Sequence, residues 1–204
     1  MPYSSEHRER VREKIVQSAR RLFNRHGFNA VAIDDLMADA GLTRGSFYAY
    51  FDSKSELYAT SITAVLSEKA IENWDGVSID PRAPEVAAQI IGEYLSVSHF
   101  ENVDGSCPLV ALPNDVSRTE QNVKRAFESV LKALIDIFEQ GLERKGDPAR
   151  RRALAIVALC VGGMVLARTI EDRALADELR EAARSVALSL GRWRSGDDAP
   201  VGRP

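Results

Sequence analysis

The chain has 204 residues, 45% of them hydrophobic and 28% charged, with a formal net charge of −3; it is long enough for a sizeable core in one large or two modest domains. Two cysteines (Cys107, Cys160) and three scattered histidines (His7, His26, His99) exclude a disulfide framework and give no metal-ligand spacing. No apolar run reaches the ~20 residues of a membrane span, and no GxSxG, HExxH or phosphate-loop pattern offers catalysis, so the expectation is a cytoplasmic, non-enzymatic protein without cofactor or metal.

Charge is unevenly placed. The first 26 residues hold seven Arg or Lys against three Glu, which puts positive charge where a DNA-facing module needs it. In the same stretch Val11, Ile15, Ala19, Leu22 and Phe23 recur at three and four residues, one face of a helix. Arg12, Lys14, Arg20, Arg21 and Arg25 occupy the other face, and Gly27 supplies the stop. A short second helix fits residues 33–40, with Ile33, Leu36, Met37 and Ala40 turned inward. Gly41 follows, able to take a left-handed backbone. Thr43 is placed to cap a third helix over residues 44–51 through its hydroxyl, and that helix is too short to stand unpacked.

Ser53, with Glu56 three residues on, reads as the capping box of a fourth helix reaching toward Asn73. A break is expected at Asp75-Gly76, continuing through Asp80-Pro81 and Ala83-Pro84. Helical patterns then cover about 85–100, 109–116, 120–143, 148–170 and 172–193, with Pro113 interrupting or bending the second of these and Asp147-Pro148 opening the fourth. Residues 195–204 form a polar tail expected to be disordered. No useful strand alternation appears. The fold class is all-α, about nine helices: a three-helix helix-turn-helix domain at 1–55, then a larger helical domain at 56–194.

The stretch from Phe28 to Leu57, FNAVAIDDLMADAGLTRGSFYAYFDSKSEL, places two short helices on either side of the Ala40-Gly41-Leu42-Thr43 turn, as in a helix-turn-helix. It resembles the tetracycline-repressor (TetR) family. The match runs through Gly27, Phe28, Ile33, Leu36, Ala40, Gly41, Leu42, Thr43, Gly45, Ser46, Phe47, Tyr48, Tyr50, Phe51, Ser53, Lys54 and Leu57. It covers the N-terminal quarter directly; the remainder agrees in length and helix layout only. Val31 and Ala32 depart from the family's Thr or Ser, removing a hydroxyl cap that Asn29 is positioned to replace, while Asp34 and Asp35 suit the helix dipole there. Met37 stands where the family has a small Ala.

The resemblance implies a dimeric transcriptional repressor that binds a palindromic double-stranded DNA operator and is released by a small-molecule effector. Arg44 is the implied base reader, since a guanidinium can bond guanine O6 and N7 together. Thr43, Ser46, Tyr48 and Tyr50 are implied phosphate or thymine-methyl contacts, Gly45 permits close backbone approach, and Lys54 neutralises a phosphate at a helix N-terminus. The ordinary readings stand beside these: Tyr48 and Tyr50 as core, Lys54 as a solvated helix residue.

Candidate effector contacts are Tyr94, His99, Phe100, Cys107, Leu109, Leu112, Phe127, Leu131, Leu134 and Phe138, against a reading of each as plain core. Cys107, in DGSCP at the start of a helix, is also a candidate thiol sensor; Cys160 reads as core. In the last two long helices the resemblance implies a four-helix dimer bundle, with Val157, Val161, Gly162, Val165, Leu179 and Val186 at the interface. The alternative is that both helices pack only within one chain. Three other functions stay open: an effector-dependent activator, a thiol-based regulator, and a small all-α enzyme or carrier using the helix-turn-helix as scaffold.

Overall fold

The computed structural model describes residues 5–67, 73–74, 77–78, 85–142 and 146–191. The chain is all-α. α1 (Ser5–Ala30) is broken at Gly27, whose φ of 78° and ψ of 168° no helix tolerates. α2 (Ile33–Asp39) buries Leu36 and Met37 and ends at Gly41, φ 67°. The third helix is a 3-10 helix (Arg44–Ala49) rather than an α-helix. α3 (Lys54–Thr63) follows and runs into a 3-10 turn, Ala64–Leu66; residues 68–72 of the expected path to Asn73 lie outside the described residues.

A two-residue antiparallel pair, β1 (Asn73–Trp74) and β2 (Val77–Ser78), stands in register Asn73 to Ser78 and Trp74 to Val77. The expected breaks at Asp75-Gly76, Asp80-Pro81 and Ala83-Pro84 lie outside the described residues, as does the 195–204 tail. The single helix expected over 85–100 is two, α4 (Val86–Tyr94) and α5 (Val97–Glu101). Pro113 divides α6 (Pro108–Ala111) from α7 (Pro113–Ser117) as its ring requires. α8 (Gln121–Gly141), α9 (Asp147–Arg168) and α10 (Arg173–Leu190) complete the chain. Asp172 caps α10, accepting from the backbone N–H groups of Ala174 and Leu175 at 3.0 and 3.2 Å.

Two compact packing units emerge: Met1–Ser67 with Asn102–Val130, and Glu68–Glu101 with Leu131–Pro204. In the first, Ile15, Ala19, Phe23, Leu36, Met37, Phe47, Phe51 and Leu57 are all buried. The segment from Asn102 onward belongs here because it is bonded to α1. Asn24 donates to the carbonyls of Asp104 and Ser106, Arg25 makes a two-pronged contact with Asp104 at 2.6 and 2.8 Å, and the Phe28 N–H donates to Asp115 at 2.9 Å. In the second unit α9 and α10 pack together. Gly163 allows it: a Cβ there would lie 2.7 Å from the Ala183 methyl.

Candidate nucleic-acid interface

The 3-10 helix owes its orientation to its buried side. Phe47 is fully buried and Phe51 nearly so, their ring centroids 6.0 Å apart. The opposite surface is therefore turned to solvent. Thr43, Arg44, Gly45 and Tyr48 are exposed, Tyr48 at 63%, while Ser46 and Tyr50 are half-buried. Tyr48 stands edge-on to Phe47 at 5.2 Å, so its ring is propped outward and does not close the core. Gly45 has open space where a Cβ would stand.

The local bonding differs from expectation at three points, each for a physical reason. Thr43 occupies the capping position, yet its hydroxyl caps nothing. In the tighter 3-10 turn the Ser46 N–H is taken by the Thr43 carbonyl at 3.0 Å, and the Ser46 hydroxyl donates to the same oxygen at 2.7 Å. At the α2 start no side chain of the cap residue, Ala32, accepts from the first-turn N–H groups; Asp35 supplies only the reciprocal half of a capping box, its carboxylate accepting from the Ala32 N–H at 2.9 Å, and Asn29 is still within α1. Ser53 does cap α3, accepting from Glu56 N–H at 3.1 Å, but Glu56 reaches back to the N–H of Asp52 rather than to the cap itself.

Lys54, half-buried, holds its ammonium 4.4 Å from the centre of the Phe28 ring. Desolvation lowers its pKa, partly offset by Asp35. Phe28 stacks on Tyr58 at 4.7 Å. The basic face of α1 is largely spent within the chain. Arg21 pairs with Asp39 at 2.6 Å, Arg25 with Asp104, and Arg12 lies 4.9 Å above the Phe51 ring. Arg8, which the sequence reading did not single out, donates to the Ala49 carbonyl at 2.7 Å and lies 6.0 Å from the Tyr50 ring. It ties the N-terminus to the end of the 3-10 helix; its place on a basic helix face was the signal available. Arg44, 63% exposed, pairs with Asp34 at 2.7 Å.

Two helices across a glycine turn, the second presenting Arg and Tyr from a fixed aromatic base, fit a duplex-reading element. Residues 15–60 match the family model for bacterial regulatory proteins of the tetR family. The chain belongs to the TetR family. It is a helix-turn-helix transcriptional regulator. It is 25% identical over 168 residues to the uncharacterized HTH-type transcriptional regulator YxaF of Bacillus subtilis, covering 79% of this chain and 87% of that one. In fold it is similar to reduced NemR of E. coli, with a TM-score of 0.71, 19% identity, and 91% and 99% of the two chains covered. A TetR-family regulator from Cytophaga hutchinsonii gives a TM-score of 0.69 at 20% identity, covering 94% and 100%.

In this TetR-family chain the effector candidates fall in both packing units. Cys107, Leu109, Leu112 and Phe127 belong to the first, and Tyr94, His99, Phe100, Leu131, Leu134 and Phe138 to the second. Most are buried; Phe100, Phe127 and Leu131 are half-buried. The His99 ring nitrogen Nδ1 lies 2.7 Å from the Tyr94 carbonyl. Phe100 lies under two guanidinium groups, Arg173 at 4.4 Å and Arg180 at 5.0 Å, and Arg168 donates to the carbonyls of His99 and Phe100. Both cysteines are unbridged. Burial pushes the Cys160 thiol up to about 12. A cleft of about 330 Å³ in the first unit is lined by Phe28, Asn29, Ser55, Asp115, Arg118, Thr119 and Glu120, none of them an effector candidate.

Of the expected interface residues, Val186 is 47% exposed, while Val161, Gly162, Val165 and Leu179 are half-buried. Val157, at 4% exposure, is already covered by its own chain. The outward apolar positions instead include Leu154, Leu166 and Leu175, each about half exposed. The paired glycines are also sorted, Gly163 facing α10 of the same chain and Gly162 facing open space.

Proposed function

We propose that this regulator is a repressor acting as a homodimer, with residues 1–55 reading a palindromic operator. Residues 56–194 then receive a small-molecule effector whose binding releases the DNA. The observation that carries the reading is the exposed Thr43–Tyr48 surface of the 3-10 helix, held outward by buried Phe47 and Phe51. Arg44 supplies base readout, and Thr43, Ser46, Tyr48, Tyr50 and Lys54 supply backbone and methyl contacts. Two-fold pairing through α9 and α10 sets two such surfaces about 34–36 Å apart, one turn of duplex. The exposed apolar residues Leu154, Leu166, Leu175 and Val186 support that pairing.

Repression follows from linkage. An effector that favours a different spacing weakens operator binding by the factor by which operator weakens effector binding. The effector reading is preferred to thiol sensing because Cys107 is only 7% exposed, and sensor thiols are accessible.

The test is selection of bound sequences from a randomised duplex library by the purified full-length protein, with Arg44→Ala alongside. A palindromic preference that Arg44→Ala flattens at one position per half-site supports the reading. Unchanged selectivity in Arg44→Ala overturns the role of that residue, and enrichment of no sequence overturns the function.

A further inference from the structure

We infer that Asp34 is a positioning residue for sequence recognition, gripping one end of the Arg44 guanidinium so that its remaining edge meets a guanine. The inference rests on Arg44 as reader. Asp34 lies in the first turn of α2 and Arg44 opens the 3-10 helix, on opposite sides of the turn. Their carboxylate and guanidinium meet through a single contact, Nη1 to Oδ2 at 2.7 Å. The hydrogen bonds among the described residues leave the edge made by Nε and Nη2 unused, and that edge carries two parallel donors, the geometry that guanine O6 and N7 accept.

The neighbouring acid has a different task. Asp35 closes the start of α2 through the Ala32 N–H, so Asp34 is not needed there. Both partners of the Asp34–Arg44 pair are more than half exposed, at 56% and 63%. An exposed pair adds little to folding, and an acid placed on a DNA-facing surface repels phosphate. Its physical value therefore appears only in the complex, where closing the interface removes water from the pair and one long, flexible side chain arrives already oriented. Without Asp34, Arg44 keeps its charge but swings freely, reaching phosphate as readily as a base edge.

The experiment uses full-length protein and the randomised duplex library, with Asp34→Asn, Arg44→Ala and the double variant compared with the native chain. Position-by-position base preference is the readout, since a purely structural role for Asp34 would not move one position selectively. The expected result is that Asp34→Asn lowers the guanine preference about tenfold at the position Arg44→Ala flattens. Other positions keep their preferences, affinity for unselected DNA does not fall, and the double variant is no less selective than Arg44→Ala. Retention of the full preference in Asp34→Asn overturns the inference while leaving Arg44 as reader. An equal gain in affinity for every sequence also overturns it, leaving Asp34 as a simple repulsive charge. If Arg44→Ala flattens nothing, the underlying assignment fails, and this inference fails with it.

Discussion

Replacing Leu166 by Glu should dissociate the dimer while leaving each chain folded. Leu154, Leu166, Leu175 and Val186 are exposed by 46%, 54%, 45% and 47% in the single chain. Fully burying such a side chain contributes about 1.5–3 kcal/mol, so covering the exposed half contributes about 1 kcal/mol each. Two-fold symmetry counts every substitution twice. Leu166→Ala should therefore weaken association by about 2 kcal/mol, roughly thirtyfold in Kd. Leu166→Glu must do more, because it brings two carboxylates into an apolar seam. Val157→Ala is the control: at 4% exposure it should lower the melting temperature and leave association unchanged. Sedimentation equilibrium measures the association and circular dichroism the folding. A Leu166→Glu chain that stays dimeric, or a Val157→Ala chain that dissociates as readily as Leu166→Ala, would refute the assignment of this face.

Gly27→Ala should destabilise the protein by about 1–3 kcal/mol, the general cost of a side chain in left-handed backbone, because φ is 78° and the new Cβ would meet the Asp115 carboxylate at 2.5 Å; thermal melting checks this, and an unchanged midpoint contradicts it. Lys54→Met should weaken DNA binding and reduce the salt slope by about one per protomer. It should not lower thermal stability at neutral pH. The folded-state pKa of Lys54 is depressed by desolvation, so the charged form opposes folding there, an opposition lost only as pH rises toward the ordinary lysine range; a clear fall in melting temperature would contradict this. Cys160, with its thiol near pKa 12 and fully buried, should resist alkylation at mildly alkaline pH until the chain unfolds. Rapid labelling of native protein at Cys160, read by mass spectrometry, would count against its burial.

What could be read from the sequence was mostly local. Gly41 as the turn, Ser53 as a cap and Pro113 as a helix break each follow from the chemistry of one or two residues, and the structure has all three. The Thr43 hydroxyl cap failed because α-helical geometry was assumed where the chain winds as a 3-10 helix, whose i to i+3 carbonyl bond takes the same N–H. Partners distant in sequence were out of reach. Arg21 and Arg25 looked like free positive charge, yet their acids stand 18 and 79 residues away. Phase on a helix was the other blind spot. Gly162 and Gly163 differ by one position, about 100° around the axis, and composition alone cannot assign one to the chain's own α10 and the other to open space. The same reason separates Val157, covered by its own chain, from Leu166, which is exposed. For Phe100, an aromatic between helices suggested a pocket wall; the two arginines over it lie 73 and 80 residues further along the chain.

The central claim is that two copies of the Arg44 surface dock together on one duplex. The most direct measurement is the mass and stoichiometry of the complex between full-length protein and a duplex selected from the random library, followed across a salt series. The account predicts two chains per palindrome, half-sites one turn apart, affinity falling steeply with salt, and loss of the selected preference in Arg44→Ala. A single chain on the duplex, or no duplex bound even at about 50 mM salt, would contradict it.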